Sequence, residues 1–388
     1  MSNNIKMGLF LTILIINLSL GSYLFSAVYG EYLFQLINFF FVFSFFVFVY
    51  FEKFYFFSFN SVELKRFFIV FLIVFFIVLS WFLNGADNGV GYFLSVLSPF
   101  LLFLSLTALE YSLPENERVM LAYRVLIIVT VFLSIEAVLR FSSPELLAAY
   151  IAGAKYESLS NMQSSGEGGF YIYKILSFLR FDSNGVGVIA FLAFSLSLFL
   201  SIKTKIKKHK IISLCLFILV VLTFSRAAIL VSMLMLFSFF SIRIVIFSIL
   251  ISTLAFSWAY GFFVYGGSLE SKFEVYNNLV NYISSADMFD LLIGKGLSSD
   301  IFDTYNTGAE GFFGHWMIVF LIYHVGFISA LLYCLLIIPM RMSFRLYVFI
   351  FLFFVLGFSY LRPFEPFVFI LLPMIYMCSN NKRVVHGF

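Results

Sequence analysis

Stretches of about twenty apolar residues recur from one end of this chain to the other, with short polar interruptions between most of them. A hydrocarbon core about 30 Å thick is crossed by about 20 helical residues rising 1.5 Å each. Inside that core no water is present to satisfy backbone N–H and C=O groups, so the crossing segments must bond internally, as helices do. Composition agrees: 62% of the 388 residues are hydrophobic and 11% are charged. The mean hydropathy of +1.04 lies far outside the mix of a soluble domain. The chain therefore reads as an all-α polytopic integral membrane protein.

Transmembrane spans are predicted near 7–29, 32–51, 67–83, 92–110, 119–140, 185–202, 211–225, 227–242, 244–265, 313–339, 346–361 and 367–379, about twelve transmembrane helices in all. The first run is long enough to span and lacks a small-residue cleavage pattern, so it reads as a retained helix. The seventh and eighth runs are short. They form either a hairpin turning at Ser225 and Arg226 or one long tilted helix, and the charge distribution favours the hairpin. No internal repeat, Pro- or Ser-rich linker or charge block marks a separate soluble domain, so 1–388 reads as a single transmembrane domain. Cys215, Cys334 and Cys378 sit in or beside apolar runs without ligand spacing and read as packing residues, with neither a metal site nor a cofactor implied.

The net charge of +4 is spread over the membrane loops and makes no basic face, so no nucleic-acid partner is expected. Its distribution sets orientation. Twice as many basic residues fall on the side of the N-terminus as on the other, with the cluster Lys203 to Lys210 as the strongest anchor. The positive-inside rule then places both termini in the cytoplasm. Two connections, 141–184 and 266–312, are far longer than the rest, and both lie on the outer face, where long loops usually carry function. The first holds a helix start at Ser143-Pro144 and a stop at Gly153. In the second, Ser271 and Glu274 fit a capping box, and Phe273, Tyr276, Val280 and Ile283 recur at helical spacing, as in a helix lying along the membrane surface.

Ionisable groups in or at the rim of a bilayer are costly to place, so each is a functional candidate. Glu136 and Arg140 lie four residues apart near the outer end of the fifth span, facing one another as a structural ion pair or as substrate contacts. Arg180, Asp182 and Asn184 stand just before the sixth span, where a guanidinium meets a helix N-terminus that also favours anions. Arg226 lies between two apolar runs and needs an anion, carbonyls, water or an interfacial headgroup to which it snorkels. His315 opens the tenth span, and the ordinary pKa of a histidine, about 6.5, suits proton abstraction at neutral pH. The second long loop is acidic overall, with Lys272 and Lys295 as its basic residues, and suits sugar hydroxyls better than phosphate. An anionic lipid headgroup, with forked guanidinium contacts to phosphate, fits the arginines.

The order of these elements resembles the O-antigen polymerase (Wzy) and O-antigen ligase superfamily. The elements are Arg180 with Asn184 before a span, Ser225-Arg226-Ala227 between spans, Gly294-Lys295-Gly296, and Gly314-His315-Trp316 leading into a span with Gly326. The motifs cover about 180–333 and the topology covers the whole chain. The resemblance implies a metal-independent glycosyltransferase of the bacterial inner membrane, working on the periplasmic face in lipopolysaccharide biosynthesis. Its substrates would be oligosaccharide repeat units carried on undecaprenyl diphosphate, the growing chain passing from one carrier to the next unit. A chain-length regulator protein and membrane lipid are the implied partners. Carried over by position, Arg180 and Arg226 hold the diphosphate and His315 helps deprotonate the acceptor hydroxyl. Ligases of the superfamily place an arginine in the long outer loop before the histidine, where this chain offers Lys272. That departure favours a polymerase over a ligase acting on lipid A core. A flippase or exporter of the same lipid-linked oligosaccharide is the alternative from another class. Such transporters show related halves and midplane binding groups, which this sequence lacks.

Overall fold

The computed structural model describes residues 3–17, 31–55, 61–84, 89–142, 183–239, 268–296, 317–339, 343–357 and 363–379. Every regular element among them is helical. In chain order these are α1 (Asn3–Ile16), α2 (Glu31–Tyr55), α3 (Ser61–Asn84), α4 (Gly89–Ser112), α5 (Glu115–Ser142), α6 (Ser183–Thr204), α7 (Lys207–Leu222) and α8 (Arg226–Ser238). They continue with α9 (Ser268–Ser285), α10 (Met288–Ile293), α11 (Met317–Phe320) running into a π-helical turn (Leu321–Val325), α12 (Gly326–Ile337), α13 (Phe344–Gly357) and α14 (Pro366–Ser379). Five stretches are long and apolar enough to cross a membrane: Ser61–Asn84, Phe93–Ser112, Glu115–Leu139, Asn184–Thr204 and Met317–Ile337. The expected span at 244–265, the expected surface helix after Ser143, and most of the first span beyond residue 17 lie outside the described residues.

The lipid-facing pattern is plainest in α3. Its buried positions, Glu63, Arg66, Val70, Ile73, Ile77 and Ser80, recur every three or four residues, which puts them on one face. The other faces expose Phe67, Phe68, Phe71, Phe75 and Phe82. In water a phenylalanine surface of this length would aggregate, whereas in hydrocarbon it costs nothing. By contrast α6 is buried on all sides, from Val186 through Leu200, as a helix at the centre of a bundle must be. Hydroxyls in these helices bond back into their own backbone: Ser105 Oγ to Leu101 O at 2.7 Å, Thr130 Oγ1 to Leu126 O at 2.7 Å, and Ser197 Oγ to Phe194 O at 2.6 Å. Such bonds let a polar side chain enter a waterless layer without an unsatisfied group.

The chain groups into two compact units that interleave in sequence, the first from 1–34, 114–232 and 377–388, the second from 35–113 and 233–376. In the first, α6 and α7 form a tight antiparallel hairpin whose turn is Lys205 and Ile206. Lys205 takes a left-handed φ of 55°, which reverses the chain within two residues. Ser197 and Ser213, on facing sides of the hairpin, share a hydroxyl–hydroxyl bond of 2.8 Å across the pair. The break expected at Ser225 and Arg226 is present: α7 ends at Leu222, Phe224 takes a φ of 51°, and α8 begins at Arg226. Helix α5 packs on α6, α7 and α1, with Gly8 of α1 letting the Arg124 guanidinium lie against its backbone.

In the second unit, α3 packs on α4 and α12, and α10 docks on α12 and α3. A ring cluster joins Phe100 and Phe103 of α4 to Phe369 of α14 and Tyr333 of α12, mostly edge to face at 5.5–6.1 Å. Beneath it Arg66 and Glu110 form a buried ion pair at 3.6 Å, the guanidinium also lying 5.4 Å from the Phe103 ring centre and 5.9 Å from that of Tyr376.

Candidate functional site

Two groups of motif residues are assembled, one in each unit. In the first unit, α6 opens at Ser183 and α8 at Arg226. Gly187 joins the two starts: a β-carbon there would lie 2.8 Å from Ser225 Cβ and 2.9 Å from Ala228 Cβ. Only the bare glycine allows α8 to begin against the first turns of α6. The consequence is positional. Asn184, three residues before Gly187, and Arg226, one after Ser225, fall at the same end of the unit.

Arg226 is the first residue of α8 and is half-buried, so its guanidinium and the partial positive charge of the helix N-terminus add at one place. The preceding turn is held by Thr223 and Ser225, both buried, with Ser225 N donating to Thr223 Oγ1 at 3.3 Å. Glu136 is buried six residues before the end of α5. The Arg140 side chain expected opposite it lies outside the described residues, as do Arg180 and Asp182. The other end of the same unit is lysine-rich. Lys205, Lys207, Lys208 and Lys210 are exposed there, while Lys203 is buried, bonded to Glu115 Oε1 at 2.9 Å and to Met377 O at 3.2 Å. Beside it Thr204 Oγ1 and His209 Nδ1 share a bond of 2.6 Å.

In the second unit the sequence predicts one continuous span over 313–339, and the structure breaks it. The π-helical turn Leu321–Val325 ends at Gly326, whose φ is +79°. A π turn followed by a reversal of φ leaves carbonyls without helical partners. Here Tyr323 O accepts from Lys295 N at 2.8 Å and His324 O accepts from Gly296 N at 3.0 Å. The segment Gly294-Lys295-Gly296 thus lies along the break and restores the bonds that the helix gives up, the condition for irregular backbone at membrane depth. His324 Nδ1 adds a third link, 3.0 Å from Gly296 O; a carbonyl only accepts, so Nδ1 carries the proton. From α3, Ser80 Oγ and Asn84 Nδ2 both donate to Gly294 O, at 3.0 and 3.2 Å.

Lys295 is exposed on this clasp, its Nζ 5.6 Å from the Tyr282 ring centre and 5.7 Å from that of Tyr323. The two rings lie 4.9 Å apart. Tyr282 is buried, and its hydroxyl donates to Asp290 O at 3.4 Å. Burial first, then the nearby Asp290 and Tyr323, push its phenol up to about 12, so it stays neutral. Helix α9 begins at Ser268, so Ser271 lies inside the helix and does not cap it; of the predicted apolar stripe Tyr276, Val280 and Ile283 are exposed, and the Phe273 side chain lies outside the described residues. The side chain of Lys272 and the whole of His315 lie outside the described residues.

The Gly294-Lys295-Gly296 motif named from the sequence is this clasp, but its pairing with the break in the helix was not expected. Glu63 and Arg66 went unnamed among the candidates, although both fall on the buried period of α3. Among the described residues no group of three metal-ligating side chains occurs. No family model matches the chain, and no curated protein and no solved structure matches it.

Proposed function

We propose that the protein is a polymerase of the O-antigen polymerase (Wzy) type, a glycosyltransferase of the bacterial inner membrane that joins oligosaccharide repeat units carried on undecaprenyl diphosphate. The observation that carries this reading is the fit of Gly187 against Ser225 and Ala228, which gathers the starts of α6 and α8 at one end of the first unit. Arg226 stands at that end with Asn184, and Arg180 precedes the same helix start in sequence. The lysine-rich end lies opposite. By the positive-inside rule the arginine end is then periplasmic and both termini are cytoplasmic.

The proposed reaction, the one the resemblance implies, would use these charges. The acceptor sugar hydroxyl forms a bond to the anomeric carbon of the donor while the bond from that carbon to the diphosphate oxygen breaks. The electron pair leaves with the diphosphate, whose growing charge Arg226 and Arg180 stabilise through forked contacts. The hydroxyl proton passes to His315, two residues before the start of α11 in sequence. Asp182, Asn184, Lys272, Glu136 and Arg140 contribute hydroxyl and phosphate contacts around the arginines. A chain-length regulator protein is the expected partner.

The test is the O-polysaccharide ladder of a strain lacking this protein, complemented with wild type, Arg226→Ala or His315→Ala at matched membrane levels. The expected result is a core bearing a single repeat unit in the null strain, a ladder with wild type, and none with either variant. Loss of every attached unit in the null strain would indicate a ligase or flippase. Full ladders from both variants would refute the assigned residues.

A further inference from the structure

The chemistry at Arg226 makes no use of the lysine-rich end of the first unit. We propose that the start of α7 is a binding site for an anionic phospholipid, with Lys207 and Lys208 on its phosphate and the apolar stripe Ile211, Leu214 and Ile218 along its acyl chains. The inference does not rest on the polymerase reading and goes beyond it.

Three observations converge there. The first is register. Lys207, Ile211, Leu214 and Ile218 follow one another every three or four residues, as do Lys208, Ile211 and Cys215, so lysines and stripe share one face of α7. Ile211 and Leu214 are each 62% exposed and Ile218 51%, whereas His209, Ser213 and Leu216 are buried on the side that packs on α5 and α6. One helical turn, about 5.4 Å, separates Lys207 from Ile211, within the reach of a lysine stem. The second is charge. Lys203 is paired with Glu115, but among the described residues no carboxylate pairs with Lys205, Lys207, Lys208 or Lys210. The first turn of α7 holds no acidic residue, and no side chain caps it. Lysines crowded at a helix N-terminus repel one another and the positive end of the helix dipole, and an anion at that place relieves both. The third is rigidity. Lys205 N donates to Ser201 O at 3.0 Å, His209 N donates to Ile206 O at 3.1 Å, and Thr204 Oγ1 and His209 Nδ1 tie the two sides of the turn. The lysines therefore start from a fixed backbone, which lowers the ordering cost of a ligand they share.

The chemistry selects a phospholipid. A lysine ammonium is a compact charge with three donors and binds phosphate oxygens. A free phosphate would use the lysines and leave the stripe bare, and a zwitterionic lipid would bring a cation of its own against them. A phospholipid of net negative charge engages both, as basic residues beside a bilayer engage its anionic lipids. On the orientation proposed above, it belongs to the cytoplasmic leaflet.

The experiment is native mass spectrometry of the purified full chain in detergent with phosphatidylglycerol, phosphatidylcholine or inorganic phosphate added, read beside thermal unfolding. Wild type is expected to retain phosphatidylglycerol and to unfold at a higher temperature with it, and to do neither with the other two. Lys207→Gln combined with Lys208→Gln should weaken phosphatidylglycerol binding about tenfold or more, and Lys207→Arg combined with Lys208→Arg should keep it. Both lysines are exposed, so the double glutamine variant should unfold as wild type does when no phosphatidylglycerol is present. Lys65→Gln, which removes an exposed lysine of α3 outside the hairpin, should bind as wild type does. Undiminished binding by the double glutamine variant would overturn the inference, as would equal retention of phosphatidylcholine. An equal loss in Lys65→Gln would overturn it too, showing unspecific attraction to surface charge. Protection by inorganic phosphate alone would mark a site for a soluble anion and likewise overturn it. Each of these outcomes leaves the polymerase reading untouched, because Arg226 and His315 are intact throughout.

Discussion

Gly294 and Gly326 approach so closely that a β-carbon on the first would lie 2.5 Å from the amide nitrogen of the second, and one on the second 2.6 Å from the amide nitrogen of the first. Both have positive φ, +84° and +79°, so an L side chain is strained by its own backbone as well as by its neighbour. This contact is what allows the 294–296 segment to reach the carbonyls freed by the π turn. Gly294→Ala and Gly326→Ala are each expected to lower stability by about 2 kcal/mol or more, read as thermal unfolding in detergent. Gly357→Ala, which would meet the flexible Met317 side chain at 3.0 Å, should cost less. Equal losses at all three positions would contradict the clasp.

The Arg66–Glu110 pair makes a separate prediction. Both side chains are buried, so removal of one leaves a charge without its counter-charge, at an expected cost of about 3–5 kcal/mol. Arg66→Met and Glu110→Leu should each destabilise strongly, and the double variant should recover much of the loss. Additive losses in thermal unfolding would show that the two charges are not coupled.

Orientation is open to labelling. In a background with Cys215, Cys334 and Cys378 replaced by alanine, Lys208→Cys at the lysine-rich end should react with a membrane-impermeant maleimide only after the inner membrane is opened. Ser285→Cys, exposed on the face of α9 opposite the apolar stripe, should react from the periplasmic side. The reverse pattern would place the basic hairpin outside and invert the topology.

What was legible in the sequence was whatever solvent alone decides. The predicted spans near 67–83, 92–110, 185–202 and 367–379 fall inside α3, α4, α6 and α14, because each is an apolar run of fixed length. The break before Arg226 was legible too, as polar residues between two such runs. The break at Leu321–Val325 was not, since every residue there except His324 is compatible with a continuous apolar helix. Its cause lies about thirty residues upstream in the amides of Lys295 and Gly296, and no local pattern registers a partner at that distance. The connection between 202 and 211 was legible as a basic gap between two apolar runs, but its turning residue was not: Lys205 sits in a left-handed conformation that glycine or asparagine usually announces. Gly187 was passed over because one glycine in an apolar helix carries no sign of what it lets approach.

The most direct measurement is reconstitution. The purified chain in proteoliposomes, given a single lipid-linked repeat unit and no nucleotide sugar, is expected to produce oligosaccharides two or more units long with release of undecaprenyl diphosphate. Product and release should both disappear in Arg226→Ala. Retention of the single unit unchanged by folded wild-type protein, or its transfer only to added lipid A core, would contradict the account.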